Sequence, residues 1–155
     1  MIYIAHRGLF LGPDKLKENH PEQISLAIEL GYDCEIDVRV IGNKFYLGHD
    51  SPDYEVNEYW LRNSKLWIHI KNKEALDWFY KCQYWKYNYF WHENDQYTLT
   101  SKGFVWTHPT SELLSTSILV MPEHVDDTLN NAVQAKCFAI CSDFVQDIKY
   151  RRESI

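Results

Sequence analysis

The sequence predicts a single domain of the α/β class, built from βα units around a mainly parallel sheet. Two observations predict this class: short apolar runs rich in β-branched and aromatic residues recur along the chain, and helical patterns separate several of them. The length of 155 residues fits one domain spanning 1–155, and no Pro/Gly-rich linker or internal repeat divides it. A content of 45% hydrophobic and 25% charged residues excludes a disordered chain.

Eight strands are predicted from apolar, β-branched or aromatic runs that mostly end in a polar residue or a turn signal. They cover residues 2–6, 34–40, 44–48, 66–71, 87–91, 104–107, 118–121 and 138–142. Four helices are predicted between them, over residues 21–30, 56–61, 73–80 and 125–135. The first helix has the clearest boundaries, because Pro21 and Glu22 open it and Gly31 follows it.

The number of strands is large for the length of the chain. A closed eight-stranded βα barrel usually takes about 250 residues, so this chain closes one only if its helices are shortened. Residues 94–103 lie where a helix is expected yet show little helical periodicity, which favours an abbreviated connection there. The 6 Trp, 11 Tyr and 7 Phe help a short chain to bury enough apolar area for a core.

Charge and targeting signals limit the classes of partner. With 16 Lys and Arg against 22 Asp and Glu, the net charge is −6, and no basic stripe is present, so nucleic acid is not an expected partner. The chain opens without a signal-peptide pattern and has no apolar run long enough to span a membrane, so we expect a cytoplasmic protein. Its four cysteines are expected to be reduced structural thiols, because their spacing completes no zinc site.

Four groups of polar residues follow or occupy predicted strands, where βα folds place their reactive side chains. They are His6-Arg7-Gly8, the alternating Glu35, Asp37 and Arg39, then Gly48-His49-Asp50, and the alternating His69 and Lys71. Side chains two residues apart on a strand share one face of the sheet. Glu35, Asp37 and Arg39 are therefore predicted on one face, and His69 and Lys71 on one face of another strand.

Two carboxylates on one face of a buried strand repel each other and require a positive partner. Arg39 or Lys71 could supply that charge as a structural ion pair. A hard divalent metal ion with oxygen ligands fits the same pair of carboxylates. Both interpretations stay open on the residues alone.

The order of these motifs resembles the glycerophosphodiester phosphodiesterase family, including its phosphatidylinositol phosphodiesterase-like barrels. The resemblance rests on His6-Arg7-Gly8, on Pro21-Glu22 opening a helix, on Glu35-Ile36-Asp37-Val38, and on Gly48-His49-Asp50. Ile68-His69-Ile70-Lys71 then stands where that family has Ile-Glu-Ile-Lys. The resemblance is detailed over residues 2–71 and thin afterwards, with Ile140-Cys141-Ser142-Asp143 similar to the family's closing Thr-Asp strand.

The resemblance implies a compact TIM-type βα barrel with shortened or missing helices. It also implies a metal-dependent phosphodiesterase of lipid metabolism that cleaves a small glycerophosphodiester-like substrate. Carried over by position, the metal-site residues would be Glu35 and Asp37, with Glu22 near the metal. The divalent ion would be Mg or Ca. Among the residues that act on the substrate, His6 would be the base and His49 the acid. Arg7 and Lys71 would bind the phosphate.

Two positions depart from the family pattern. Gln23 replaces an Asn, and His69 replaces the third metal-binding carboxylate. An imidazole can still bind a metal, but it removes one negative charge and shifts the preference towards Mn or Zn. The departure at His69 leaves an alternative function open, in which a catalytically weakened barrel binds a phosphorylated sugar or polyol.

Two further expectations concern surfaces. The aromatic stretch 84–92 suggests either a stacking surface or, by alternation along a strand, packing of the core and wall. A trimmed barrel also leaves an apolar flank exposed, which predicts a possible homodimer. Light scattering at high protein concentration tests that expectation.

Overall fold

The computed structural model describes residues 1–82 and 87–155, and these form a mixed α/β fold. Ten strands make one curled sheet, and four α-helices are present in the described part of the chain. The strands are β1 (Ile2–Ala5), β2 (Asp33–Ile41), β3 (Lys44–Leu47), β4 (Tyr54–Val56), β5 (Leu66–Ile70), β6 (Asn88–Phe90), β7 (Tyr97–Leu99), β8 (Val105–Thr107), β9 (Ser117–Val120) and β10 (Ala139–Ser142). The helices are α1 (Pro21–Glu29), α2 (Lys73–Lys81), α3 (Asn130–Gln134) and α4 (Val145–Glu153).

Parallel pairing dominates the sheet. The order β6, β5, β2, β1, β10, β9, β8 is joined by parallel ladders throughout. β1 therefore lies between β2 and β10 in the curled sheet. Because all these strands are parallel, their carboxyl ends lie at one edge. That edge is where a parallel βα fold positions functional side chains.

Two antiparallel additions modify this sheet. β2 is long enough to pair with β5 along its first half and with β3 along its second half. The hairpin of β3 and β4 therefore extends beyond the carboxyl edge of the parallel strands. β7 lies antiparallel to β8 in the segment where a crossover helix would otherwise stand.

A closed TIM-type barrel is not confirmed. Among the described residues, no strand ladder joins β6 to β7 or β8. Contacts cross this gap all the same: Ser101 donates its backbone N–H to the Tyr89 carbonyl at 2.8 Å, and its hydroxyl accepts the Tyr89 N–H at 2.9 Å. The rings of Phe90 and Trp106 also stack across the gap with centroids 4.5 Å apart.

The eight predicted strands are confirmed, each boundary within one residue, and so are the helices predicted over 21–30 and 73–80. The helix predicted over 56–61 is wrong, because β4 pairs with β3 and the Asn57 carboxamide accepts the Trp60 N–H in a turn. The helix predicted over 125–135 shrinks to α3. The Asp126 carboxylate binds the N–H groups of Thr128 and Asn131, and Leu129 has a φ of +60°, so the chain cannot be helical there.

Three elements were not predicted, namely β4, β7 and α4. The short strands carry too few residues for a pattern, and α4 has only Val145 and Ile148 buried, so it lacks an apolar stripe. The four cysteines are free, as expected. Within the aromatic stretch, residues 84–86 lie outside the described residues, whereas Tyr87 and Phe90 pack in the core.

The core lies on both sides of the sheet. One face of β2 carries Cys34, Ile36 and Val38, all with no exposed surface, which pack with the helices. On the opposite face of the sheet, aromatic rings pack in pairs: Trp67 against Phe104, and Trp106 against Phe90. The alternation predicted for β2 is confirmed, and it leaves the carboxylates of that strand on the face away from the helices.

The turn after β3 depends on Gly48. Its φ is +143°, and a Cβ there would overlap the Ser51 carbonyl oxygen and lie 2.6 Å from Asp53 Oδ2. We expect Gly48→Ala to destabilise the protein by about 3 kcal/mol, because strain and overlap add. Gly42→Ala is the matched control: its φ is +54° with nothing within 4 Å, and it should cost about 1–2 kcal/mol. Urea unfolding measures both variants, and equal losses would contradict the overlap.

Candidate functional site

Polar side chains from β2 and β5 meet at the carboxyl edge of the sheet. Glu35, Asp37 and His69 each offer one donor atom, and these atoms lie within 4.8 Å of one another. Glu35 is 1% exposed and Asp37 has no exposed surface. They meet because β2 and β5 pair in register, with Asp37 opposite His69. The structure therefore brings together the three side chains that the resemblance assigns to the metal.

Glu35 connects this cluster to the end of β1. Its Oε2 accepts the backbone N–H of Arg7 at 3.1 Å and lies 3.9 Å from Nε2 of His6. Its Oε1 lies 3.6 Å from Nδ1 of His69. The carboxylate thus faces two imidazole rings, one from each neighbouring strand.

Asp37 is held from a loop. Its Oδ2 accepts a hydrogen bond from Asn19 Nδ2 at 2.8 Å and lies 3.1 Å from Arg7 Nε, while its backbone N–H donates to Asn19 Oδ1. Burial favours the neutral acid, but the ion pairs with His69 and Arg7 outweigh it and hold the pKa of Asp37 well below its usual range. Asp37 is therefore an anion at neutral pH.

The other oxygen of Asp37 has no hydrogen bond. Oδ1 is buried and accepts none from the described residues, and the nearest cationic atoms are His69 Nδ1 at 3.2 Å and Lys71 Nζ at 3.9 Å. An anionic oxygen in this state is costly unless a cation is close. The atom therefore points to a cation, either an ion or a charged side chain.

His69 is fixed on three sides. Its ring stacks on Phe90 with centroids 4.8 Å apart, Nε2 lies 3.1 Å from the carbonyl oxygen of His92, and Nδ1 faces both carboxylates. Burial lowers the pKa of His69, but Asp37 and Glu35 outweigh that effect and raise it to about 9. A protonated His69 supplies one positive charge to the cluster when no metal is bound.

His6 is part of a chain of hydrogen bonds that ends on β10 and the segment after β9. Its Nδ1 lies 2.8 Å from Asp143 Oδ1, and the Asp143 N–H donates to Glu123 Oε1 at 2.9 Å. Ser142 donates its hydroxyl to the same carboxylate. Burial opposes protonation of His6, but the Asp143 bond and the Glu35 charge raise its pKa. The ring is thereby oriented with Nε2 towards Glu35.

Arg7 lies between two carboxylates. Its Nη1 donates to Glu18 Oε2 at 2.9 Å, and its Nε lies 3.1 Å from Asp37 Oδ2. The backbone of Arg7 has a φ of +51°, a conformation that non-glycine residues seldom adopt. Arg7 and Lys71 add two positive charges beside the carboxylates.

His49 reaches the same edge on the loop after β3. Its ring Nδ1 lies 2.7 Å from the exposed Asp50, and no contact joins it to His6, Glu35 or Asp37 among the described residues. Arg39 ties this loop to the next strand, because its guanidinium donates to the carbonyl oxygens of Gly48, His49 and Lys71. Arg39 is therefore not the ion-pair partner of the carboxylates. Arg7, His69 and Lys71 fill that role.

Glu22 does not join the cluster. It is exposed at the start of α1, where its backbone N–H donates to the His20 ring. Gln23, the residue that departs from the family pattern, donates to the Gly8 carbonyl at 3.1 Å. The second carboxylate that contacts Arg7, besides Asp37, comes from Glu18 and not from Glu22.

Four residues of the site carried no predicted role. They are Glu18 and Asn19 in the loop before α1, Glu123 after β9, and Asp143 after β10. Loop residues leave no periodic signal, and the partners of Glu123 stand about twenty residues further along the chain. The one available signal was Asp143, which follows a predicted strand as the other site residues do.

A larger cavity lies away from these residues. It has a volume of about 720 Å³ and opens between the start of α1 and the β3–β4 hairpin, lined by residues such as Lys44, Glu55 and Trp60. None of the predicted site residues lines it. Its Lys44 and Glu55 pair with each other at 2.9 Å.

Comparison with family models, with curated proteins and with solved structures finds no match for this chain. In the described part of the chain, none of the helices has the length and apolar content needed to cross a membrane. The assignment to a family therefore stays a prediction, carried by the motifs of residues 2–71 and by the cluster that they form.

Proposed function

We propose that this protein is a metal-dependent phosphodiesterase that cleaves a small glycerophosphodiester-like substrate by acid–base catalysis with two histidines. The observation that carries the proposal is the convergence of Glu35, Asp37 and His69 beside His6 at the carboxyl edge of the sheet. We infer further that the curled sheet is a trimmed TIM-type barrel, because its first and last strands pair as they do in such barrels.

The donor set fits a divalent ion. Glu35, Asp37 and His69 would hold it. Asp37 Oδ1 offers a buried anionic oxygen, and its nearest partner among the described residues is His69 Nδ1 at 3.2 Å, an atom that would itself bind the ion once deprotonated. Two carboxylates favour Mg or Ca, whereas the imidazole shifts the preference towards Mn or Zn. A bound divalent ion would neutralise the charge that builds up on the phosphoryl oxygens in the transition state.

His6 is placed to act as the base. Asp143 binds Nδ1 and leaves Nε2 facing the cluster, so Nε2 is the atom that takes the proton of the attacking hydroxyl. That hydroxyl belongs either to water, which gives a monoester, or to a neighbouring group of the substrate, which gives a cyclic phosphate. As the new P–O bond forms, the bond to the leaving oxygen breaks, and His49 on the adjoining loop returns a proton to that oxygen.

Arg7 and Lys71 support the same reaction through their charge. Both lie against Asp37, with Arg7 Nε at 3.1 Å and Lys71 Nζ at 3.9 Å from its oxygens. A phosphodiester is an anion that repels both nucleophiles and the carboxylates of this site. The two cations offset that repulsion and bind the phosphoryl oxygens.

The alternative is a binding protein on the same scaffold, which holds a phosphorylated sugar or polyol without cleaving it. One observation favours it. The pKa of His69 is raised to about 9, so the protonated ring already provides a cation between Glu35 and Asp37. In that case the cluster is an ion-pair network, and Arg7 and Lys71 recognise the phosphate.

Phosphorus NMR separates the two functions. The purified protein is incubated with a panel of glycerophosphodiesters and Mg, Mn, Ca or Zn, with a chelator as the control. We expect a new monoester or cyclic phosphate signal that the chelator abolishes, since the divalent ion supplies charge that the residues alone do not. Binding of a phosphorylated polyol with no product under any metal would favour the alternative.

A further inference from the structure

A small cavity adjoins the candidate site on its far side. It has a volume of about 110 Å³ and lies at the carboxyl ends of β6, β8 and β9. Its polar lining comes from His92, Asp95, His108 and His124, and Trp106 and Met121 contribute apolar surface. None of these residues takes part in the reaction described above.

Two connections place the cavity next to the reacting groups. His92 lines it, and the carbonyl oxygen of His92 lies 3.1 Å from Nε2 of His69, with the two rings 5.9 Å apart. His124 also lines the cavity and directly follows Glu123, whose carboxylate holds the Asp143 that orients His6. A group attached to a phosphate at the cluster therefore has this cavity within reach.

Hydrogen bonds hold the rings of His92 and His108. Nδ1 of His92 lies 3.0 Å from the Thr98 hydroxyl, and Nδ1 of His108 lies 2.9 Å from the Thr110 hydroxyl and accepts the Thr110 N–H. With Nδ1 engaged, Nε2 is the atom left for a ligand, as an N–H donor in the neutral ring.

This lining suits hydroxyl groups. Imidazole nitrogens and the Asp95 carboxylate can hydrogen-bond a hydroxyl group, which both donates and accepts, whereas an anion would be repelled by Asp95. Trp106 is 5% exposed and is held against Phe90, so it forms a rigid wall for the C–H surface of a ligand. At about 30 Å³ for each water, the cavity holds roughly four waters, which matches a chain of three or four hydroxylated carbons.

We propose that this cavity is the binding site for the alcohol group attached to the phosphate, and that His92 and His108 select a short hydroxylated alcohol. This inference rests on the proposed function, because it assigns the neighbouring cluster to the phosphate. It names a size and a chemistry: short polyols are bound, while simple alkyl alcohols lack the hydroxyls to pair with the imidazoles, and ring polyols exceed the cavity.

Histidine ring NMR on the full chain tests the site without any phosphodiester. The ¹⁵N-labelled protein is titrated with erythritol, 1-butanol and myo-inositol, and the ring signals are assigned with His92→Gln and His108→Gln. We expect erythritol to shift both rings, with 1-butanol binding about tenfold more weakly because hydrogen bonds are lost. The His20 ring, which packs on Tyr54, is the internal control and should not move.

Each outcome decides the inference. Unmoved His92 and His108 signals, equal shifts with 1-butanol, or saturation by myo-inositol would each overturn it. Erythritol shifts at both rings, together with no phosphodiester cleavage by phosphorus NMR, would support the alcohol site and remove the catalytic proposal. If cleavage occurs, His108→Phe should reduce the preference for a hydroxylated over a deoxy leaving group about tenfold in kcat/KM, and an unchanged preference would contradict the role of His108.

Discussion

His6→Ala is expected to lower the turnover of a glycerophosphodiester by about 10²–10⁴-fold, the usual contribution of a general acid or base. The reason is local: Nε2 of His6 faces the cluster 3.9 Å from Glu35, while Asp143 holds the opposite nitrogen. The Asp143 that holds this ring is itself held by Glu123, so the orientation of Nε2 is fixed from β10 and from the segment after β9. Turnover is measured by phosphorus NMR at saturating metal, with unfolding followed in parallel.

The design of this experiment separates chemistry from stability. His6→Gln keeps a polar group that can bind Asp143, so it should fold where His6→Ala fails, and it should lose the same turnover. His20→Ala is the matched control, since His20 only caps α1 and contacts Tyr54, and it should keep normal turnover. Normal turnover in both His6 variants would remove His6 from the mechanism.

The same measurement tests His49, whose position is less constrained. Its ring is 36% exposed and pairs only with Asp50 among the described residues. Because His49 is the proposed proton donor, His49→Ala should lower turnover to a comparable extent. The loss should be smaller for substrates whose leaving group is already acidic. An equal loss for all leaving groups would show that His49 acts on something other than the leaving oxygen.

Asp37→Asn is expected to weaken divalent ion binding by at least about 100-fold. The substitution removes the charge of a fully buried carboxylate in the cluster, and hard cations bind carboxylate oxygens more strongly than neutral amide oxygens. Glu35→Gln should have a similar effect, because its two oxygens face the same centre. Isothermal calorimetry with Mg, Mn, Ca and Zn measures the change. Asp77→Asn, on the exposed face of α2, is the matched control.

His69→Glu tests the same centre in the opposite direction. It exchanges a positively charged ring for a third carboxylate and should raise the affinity for Mg and Ca by about tenfold or more relative to Zn. The metal-free protein should become less stable, because Glu35 and Asp37 lose the cation 3.6 and 3.2 Å away. Unchanged metal affinity in Asp37→Asn, Glu35→Gln and His69→Glu together would establish the cluster as an ion-pair network and favour the binding function.

Much of the secondary structure was predictable because it depends on local pattern. The strand at 33–41 alternates apolar and polar residues, and this alternation alone placed Glu35 and Asp37 on the face opposite Cys34, Ile36 and Val38. α1 was predictable from Pro21 and from the residues that end it. By contrast, the antiparallel strands β4 and β7 depend on pairing with β3 and β8. A three-residue segment is too short for its sequence pattern to predict a strand.

The residues of the candidate site were likewise predictable only in part. His6, Arg7, Glu35, Asp37 and His69 could be predicted because each follows or occupies a strand, and parallel strands align their carboxyl ends. Of the two cations predicted beside the carboxylates, only Lys71 lies there, and the contributions of Arg7 and His69 as cations were not predicted. Arg39 shares their face of β2, yet the β3 turn and the Lys71 carbonyl bind its guanidinium, and Arg7 comes from a different strand instead.

The sequence by itself determined the class of fold, eight of the ten strands of the described residues, the two carboxylates on one face and the histidines at strand ends. These features follow from side-chain alternation and from turn residues, which act over a few positions. Only the tertiary structure decided that Asn19 and Glu18 complete the site, that Asp143 and Glu123 orient His6, and that His69 lies between the carboxylates. Those contacts join residues up to 137 positions apart in the chain, and their energy depends on distance in space and on burial, which no local pattern encodes.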